Sequence, residues 1–109
     1  RHFLSEIGWE IVREEMIKED GKFYPMMKAV RNNSGKKTVY TEEEAWFGPL
    51  LLEKRHPVLK EYLLREEMIR KKILAGLSGA ESVSAKTRLA EVKEEMELIH
   101  TALKRYESI

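Results

Sequence analysis

The sequence has no cysteine, only three prolines, and no apolar run approaching the eighteen or so residues of a membrane helix. Without cysteine there is no disulfide, no thiol nucleophile and no thiolate metal site, which fits a cytoplasmic protein. No secretory h-region is visible and no membrane partner is expected. Charge of one sign is scarce as well: the net charge of +1 excludes a whole-molecule attraction to nucleic acid or anionic lipid. Catalytic patterns are equally thin. Gly35-Lys36-Lys37-Thr38 lacks the leading glycine of a phosphate loop, Val30 standing there, and opens a predicted strand rather than a helix. No Ser-His-Asp ordering occurs, and no pair of carboxylates is isolated in an apolar run. No catalytic residue, cofactor or metal ligand is therefore assigned, and no motif identifies a family.

What is present is charge and periodicity. With 109 residues, 36% charged and 42% hydrophobic, the chain makes one charge-rich domain with a modest core. Its apolar residues recur regularly, which favours helices over disorder. It opens on Arg1 rather than Met, as expected of a trimmed chain or of a piece of a longer one.

Phe3, Leu4, Ile7 and Ile11 share one quadrant at about 100° per residue, and Trp9, Val12 and Met16 a second. This spacing predicts a helix over 3–19, stopped by Asp20-Gly21. The segment 22–40 carries Phe23, Tyr24, Val30, Val39 and Tyr40, with Asn32-Asn33-Ser34-Gly35 as turn chemistry. It predicts a β-hairpin near 26–40, with arms at 26–31 and 36–40. Thr41 through Glu44 is a capping box that starts a helix at Glu42. Pro49 and Pro57 break the helical pattern, giving a kinked segment over 42–56 and a long helix over 57–75. A Gly/Ser linker over 76–83 leads to a last helix over 84–108. The expected fold is mainly α, in the order α-ββ-α-α-α, with the two long C-terminal helices as an antiparallel pair or coiled coil.

Several features are candidates for function. Ala85, Leu89, Val92, Met96, Ile99, Leu103 and Tyr106 are spaced 4-3-4-3-4-3, a heptad seam. The seam outruns helix 57–75, so Leu89, Val92, Met96, Ile99, Leu103 and Tyr106 are the expected interface of a homo-oligomer or a helical protein partner. The leading expectation is thus a non-enzymatic interaction or assembly module of intracellular type.

The alternative is a nucleic-acid accessory protein. Between Asp20 and Glu42 the chain has five basic side chains and no acidic one. Lys28, Arg31, Lys36 and Lys37, with aromatics nearby, are the candidate phosphate contacts. Glu53/His56 and Glu97/His100 have the i, i+3 spacing of carboxylate-bridged metal bundles, a third and weaker reading that Lys54, Arg55 and the adjacent Pro57 oppose. Glu66 and Arg70 read as an i, i+4 ion pair at a helix–helix edge. Trp46-Phe47-Gly48-Pro49-Leu50-Leu51-Leu52 reads as a plug in the core beneath the hairpin, or as an apolar docking patch.

Overall fold

The computed structural model describes residues 1–35 and 38–107. Among these the order is α1 (His2–Glu6), β1 (Trp9–Glu19), β2 (Lys22–Arg31), α2 (Glu42–Phe47), α3 (Pro49–Glu53), α4 (Pro57–Leu77) and α5 (Val83–Glu107). The described chain is mostly helical with a single two-stranded antiparallel sheet. It divides into two compact units, Arg1–Lys60 and Glu61–Ile109.

The first unit corrects the helix expected over 3–19. Only His2–Glu6 is helical, and Trp9–Glu19 is a strand paired with Lys22–Arg31. Asp20 and Gly21 form the loop between them, with φ of 50° and 75°. Two successive positive φ values match the twist of a tight hairpin, so this Asp-Gly starts a sheet instead of ending a helix. A bulge between Ile11 and Arg13 shifts the register, so the buried positions of β1 are Ile11, Glu14 and Met16. An inward set spaced three and then two, with a carboxylate in it, hides the strand period of two.

The hairpin expected near 26–40 is corrected with it. Residues 26–31 belong to β2, and its partner precedes it in the chain. Asn32 then turns the chain by accepting from the Ser34 amide at 3.0 Å and the Ser34 hydroxyl at 2.6 Å. The expected second arm, over 36–40, falls partly outside the described residues; Thr38, Val39 and Tyr40 have no strand geometry. Val39 is exposed, whereas Tyr40 is buried and its hydroxyl accepts from the Ile11 amide at the bulge, at 3.4 Å. Counting outward from the two-residue loop, Met16–Pro25 is a pair without backbone hydrogen bonds. The missing N–H of Pro25 therefore falls on the open edge of the sheet.

After the turn, local chemistry governs. The Thr41 hydroxyl accepts from the Glu44 amide at 3.2 Å, and the Glu44 carboxylate accepts from the Thr41 amide at 2.9 Å, closing the capping box of α2. Pro49 and Pro57 each open a helix. Phe47, Leu51, Leu52 and Leu59 are buried, forming the core of this unit with Ile11, Met16 and Tyr40.

The second unit is helical. Arg70 on α4 meets Glu95 on α5 at 3.1 Å, and Glu67 meets His100 at 2.8 Å, so the helices run antiparallel. Leu63, Val92, Met96, Ile99 and Ala102 are buried.

Candidate functional site

The densest chemistry lies in the first unit, around two consecutive carboxylates of β1. Glu14 points inward and is almost fully buried. Its Oε2 accepts from the Arg1 Nε at 2.8 Å, and its Oε1 accepts from the amides of Leu50 at 2.7 Å and Leu51 at 3.4 Å. These amides are the orphan donors at the start of α3, whose N-cap residue is Gly48 and has no side chain to supply an acceptor. Arg1 closes the group by donating to the Ala45 carbonyl at 2.9 Å. Gly48 is required on two counts. Its φ is 98°, and a Cβ there would lie 2.5 Å from the Glu14 Oε2.

Glu15 faces the other way and gathers cations. It accepts from the Lys54 Nζ at 2.9 Å and lies 3.2 Å from the His56 Nε2. The Lys54 ammonium beside it, then His56, hold its carboxyl below the ordinary value of 4.5. His56 also accepts the Val58 amide on Nδ1 at 3.2 Å, so its proton sits on Nε2, facing Glu15. In the two Glu-x-x-His stretches, His56 lies against Glu15 and His100 against Glu67.

The outer face of the hairpin carries Glu10, Arg13, Glu15 and Ile17 from β1 opposite Val30, Lys28, Met26 and Tyr24 from β2. An open groove of about 370 Å³ is lined by Arg13, Glu15, Met26, Met27 and Lys28. A second, of about 510 Å³, runs from Val12 and Arg13 past Glu14 and Glu15 to Leu50, Glu53 and Lys54.

Of the expected nucleic-acid contacts, two lie on β2, on opposite faces of the hairpin. Lys28 lies on the outer face opposite Arg13, Arg31 lies on the inner face opposite Trp9, and Lys36 and Lys37 lie outside the described residues. Of the expected interface on α5, Val92, Met96 and Ile99 are buried within the chain, and Leu89, Leu103 and Tyr106 are half-buried. Burial raises the Tyr106 phenol to about 12 and, with Glu66 alongside, raises Tyr62 as well. Glu66 and Arg70 do pair, at 3.2 Å, and Arg70 extends the link to Glu95. The Trp46-to-Leu52 stretch divides: Phe47, Leu51 and Leu52 are buried and Trp46 is half-exposed. Glu14, which accepts from Arg1 and from two amides of α3, goes unnoticed in the sequence; its signal is the uncapped Gly48-Pro49 helix start, which needs an acceptor from elsewhere.

Comparison with known proteins places these features. Residues 1–101 match the family model TrmK, tRNA (adenine(22)-N(1))-methyltransferase. No curated protein sequence matches the chain. Among solved structures, an uncharacterised protein from Listeria monocytogenes serotype 4b superposes with a TM-score of 0.85 at 25% identity, over 94% of this chain and 45% of that one. The B. subtilis M1A22 tRNA methyltransferase TrmK gives 0.78 at 21% identity, over 93% and 44%. A putative tRNA (m1A22) methyltransferase from Streptococcus pneumoniae, in complex with S-adenosyl-L-methionine, gives 0.75 at 20%, over 94% and 41%. The chain thus spans less than half the length of these structures. The family match overturns the expectation of a non-enzymatic, coiled-coil assembly module, because the family is one of enzymes. Over nearly its whole length, this chain belongs to the TrmK family of tRNA (adenine(22)-N(1))-methyltransferases.

Proposed function

We propose that this chain is part of a tRNA methyltransferase that methylates N1 of adenine 22, and that its share of the work is to hold tRNA and support the catalytic part. The observation that carries the reading is the family match over residues 1–101. In the reaction, the methyl carbon leaves the sulfonium of S-adenosylmethionine for the adenine nitrogen, giving S-adenosylhomocysteine.

The described residues do not fit the methyl donor. An adenosyl group with an amino-acid tail calls for a concave, largely enclosing site. The two grooves on the hairpin are open, and the sheet is an antiparallel pair without the strand–helix crossover that cradles dinucleotides. The donor pocket is accordingly assigned to sequence beyond this segment, and no chemical step is routed through the described residues.

Contact with tRNA phosphates is assigned to Arg31 and to Lys36 and Lys37, which come after it in the sequence. A surface of this kind supplies salt-sensitive, sequence-independent affinity, leaving choice of the base to the catalytic part. Such an enzyme acts on tRNA in the cytoplasm. No described helix is long and apolar enough to cross a membrane.

The test uses the purified gene product that contains this chain, unmodified tRNA and methyl-labelled S-adenosylmethionine. The expected result is label at position 22, lost when that adenine is replaced. Arg31→Glu should weaken tRNA binding and lower the salt slope by about one, with the affinity for S-adenosylmethionine unchanged. A gene product that binds tRNA but leaves adenine 22 unmethylated would overturn the reading.

A further inference from the structure

The helices α2 to α5 each begin on a side-chain acceptor, and one of those acceptors differs in kind. The Thr41 hydroxyl accepts from the Glu44 amide at the start of α2, at 3.2 Å, and the Ser82 hydroxyl accepts from the Ala85 amide at the start of α5, at 3.1 Å. The Glu14 carboxylate does the same for α3. At α4 the acceptor is an imidazole. His56 stands just before Pro57; its carbonyl accepts from the Lys60 amide at 3.2 Å, and its Nδ1 accepts from the Val58 amide at 3.2 Å. These are the two duties of an N-cap residue. Among such side-chain types, imidazole is the one whose ordinary titration lies between roughly pH 5 and 8.

Protonation changes what that ring can do. A neutral imidazole accepts on one nitrogen and donates from the other, whereas an imidazolium donates from both. His56 uses both nitrogens: Nε2 faces the Glu15 carboxylate at 3.2 Å while Nδ1 serves α4. A proton on Nδ1 would set donor against donor at the Val58 N–H. It would also place positive charge at the positive end of a 21-residue helix. The His56 side chain is 13% exposed, so little water stands by to replace a lost partner. Glu15, on β1, pulls the other way and holds the imidazolium. Its carboxyl is kept below the ordinary value by Lys54 and then by His56, so it stays an anion. Around the pair stand Lys54, at 2.9 Å from the Glu15 Oε1, and Arg55, which precedes His56 in the chain. Arg13 of β1 and Lys28 of β2 line the groove that Glu15 borders.

We propose that His56 is an acid-operated cap: on protonation it keeps Glu15, releases the Val58 amide and frees the first turn of α4. A proton taken from solvent onto Nδ1 is the only reactant. The hydroxyl-capped helices α2 and α5 are indifferent to it. The device lies within Arg1–Lys60 and does not depend on the methyltransferase reading.

The experiment uses the isotope-labelled gene product that contains this chain. Nuclear magnetic resonance follows the His56 ring nitrogens and the exchange of the Val58 and Ala85 amides from about pH 8 to about pH 5, corrected for the intrinsic pH dependence of exchange. At the alkaline end Nδ1 should carry no proton. As the ring gains its second proton, protection of Val58 should fall about fivefold or more, the usual worth of a cap, and that of Ala85 should hold. His56→Asn supplies an acceptor that does not titrate, so its Val58 amide should keep its protection across the range. A ring that titrates while Val58 protection stays constant would overturn the proposal. So would a ring neutral throughout, a proton on Nδ1 at the alkaline end, or a His56→Asn variant that loses protection as the wild type does. Equal losses at Val58 and Ala85 would mean general unfolding in acid and would overturn it too.

Discussion

The two units of the chain solve the same problem, how to fix secondary elements in place, by opposite means. In Arg1–Lys60 the decisive contacts join residues far apart in sequence through buried polar atoms: Glu14 reaches Arg1, thirteen residues back, and Leu50, thirty-six residues on. In Glu61–Ile109 an apolar stripe of helical period does the work, and charged side chains decorate it. Arg70, Glu66 and Glu95 form one chain of ion pairs, and Arg88 bridges Glu91 and Glu95. A single side chain is decisive in the first unit. In the second, the stabilisation is spread over many.

That difference predicts where one substitution does most harm. Glu14→Ala should cost about 3–5 kcal/mol, because it leaves the Arg1 guanidinium and the Leu50 amide without their buried acceptor. Urea unfolding followed by circular dichroism measures it, and a loss below about 1 kcal/mol would remove Glu14 from its central place. Gly48→Ala acts on the same joint from the other side. It forces an alanine into φ near 98° and drives a methyl against the Glu14 carboxylate. It should destabilise by about 1–3 kcal/mol, and adding it to Glu14→Ala should cost less than the sum of the two.

The second unit should answer differently. Ile99 is 1% exposed, and Ile99→Ala should cost about 2–5 kcal/mol, the range for a truncation that leaves a cavity. The polar partners around it should contribute far less. If Arg70→Ala destabilised as much as Ile99→Ala, the contrast between the units would fail. Hydrogen exchange of the two variants would sharpen it. Glu14→Ala should open amides of β1, β2 and α3, and Ile99→Ala those of α5.

The same contrast explains what the sequence discloses. The heptad spacing over 85–106, the Thr41 capping box and the prolines at 49 and 57 are local codes, and the helices begin and end within a few residues of where those codes place them. Of the hairpin, the arm over 26–31 was legible as strand, whereas its Asp20-Gly21 loop suits a helix stop as well as a tight turn. The inward face of β1 is interrupted by a bulge and occupied by a carboxylate, so neither the period nor the polarity of a strand shows. Glu14 becomes intelligible only once the fold brings Gly48 to it. The enzyme family was not legible at all. Residues 1–109 contain no donor-binding motif, and the basic residues between Asp20 and Glu42 suggested nucleic acid without saying which.

Titration separates the units again, with a smaller effect. Glu15 in the first unit has its pKa lowered by Lys54 and His56. Its contribution is therefore complete above the unfolded value near 4.5 and is lost as pH falls through the lower folded value. Tyr62 and Tyr106 in the second unit have raised values, and Tyr106 reaches about 12. Their contribution is complete below 10.0 and fades as pH rises from there toward 12. Glu15→Gln should flatten the acid limb of a stability–pH profile and leave the alkaline limb alone. Tyr106→Phe should do the reverse. Both variants changing the same limb would dissolve the distinction.

The smallest effect expected is at the link between His100 and Glu67. Its 2.8 Å contact is among the shortest side-chain pairs of the second unit, yet the His100 side chain is 49% exposed. Short distance and high exposure pull in opposite directions, and exposure should prevail. Water and salt screen the pair, and ordering two side chains offsets what attraction remains. His100→Ala should therefore cost less than about 1 kcal/mol at neutral pH. Any coulombic part of the attraction should shrink further in salt at about 1 M. A loss rivalling that of Ile99→Ala would mean that the second unit, like the first, hangs on a single polar joint.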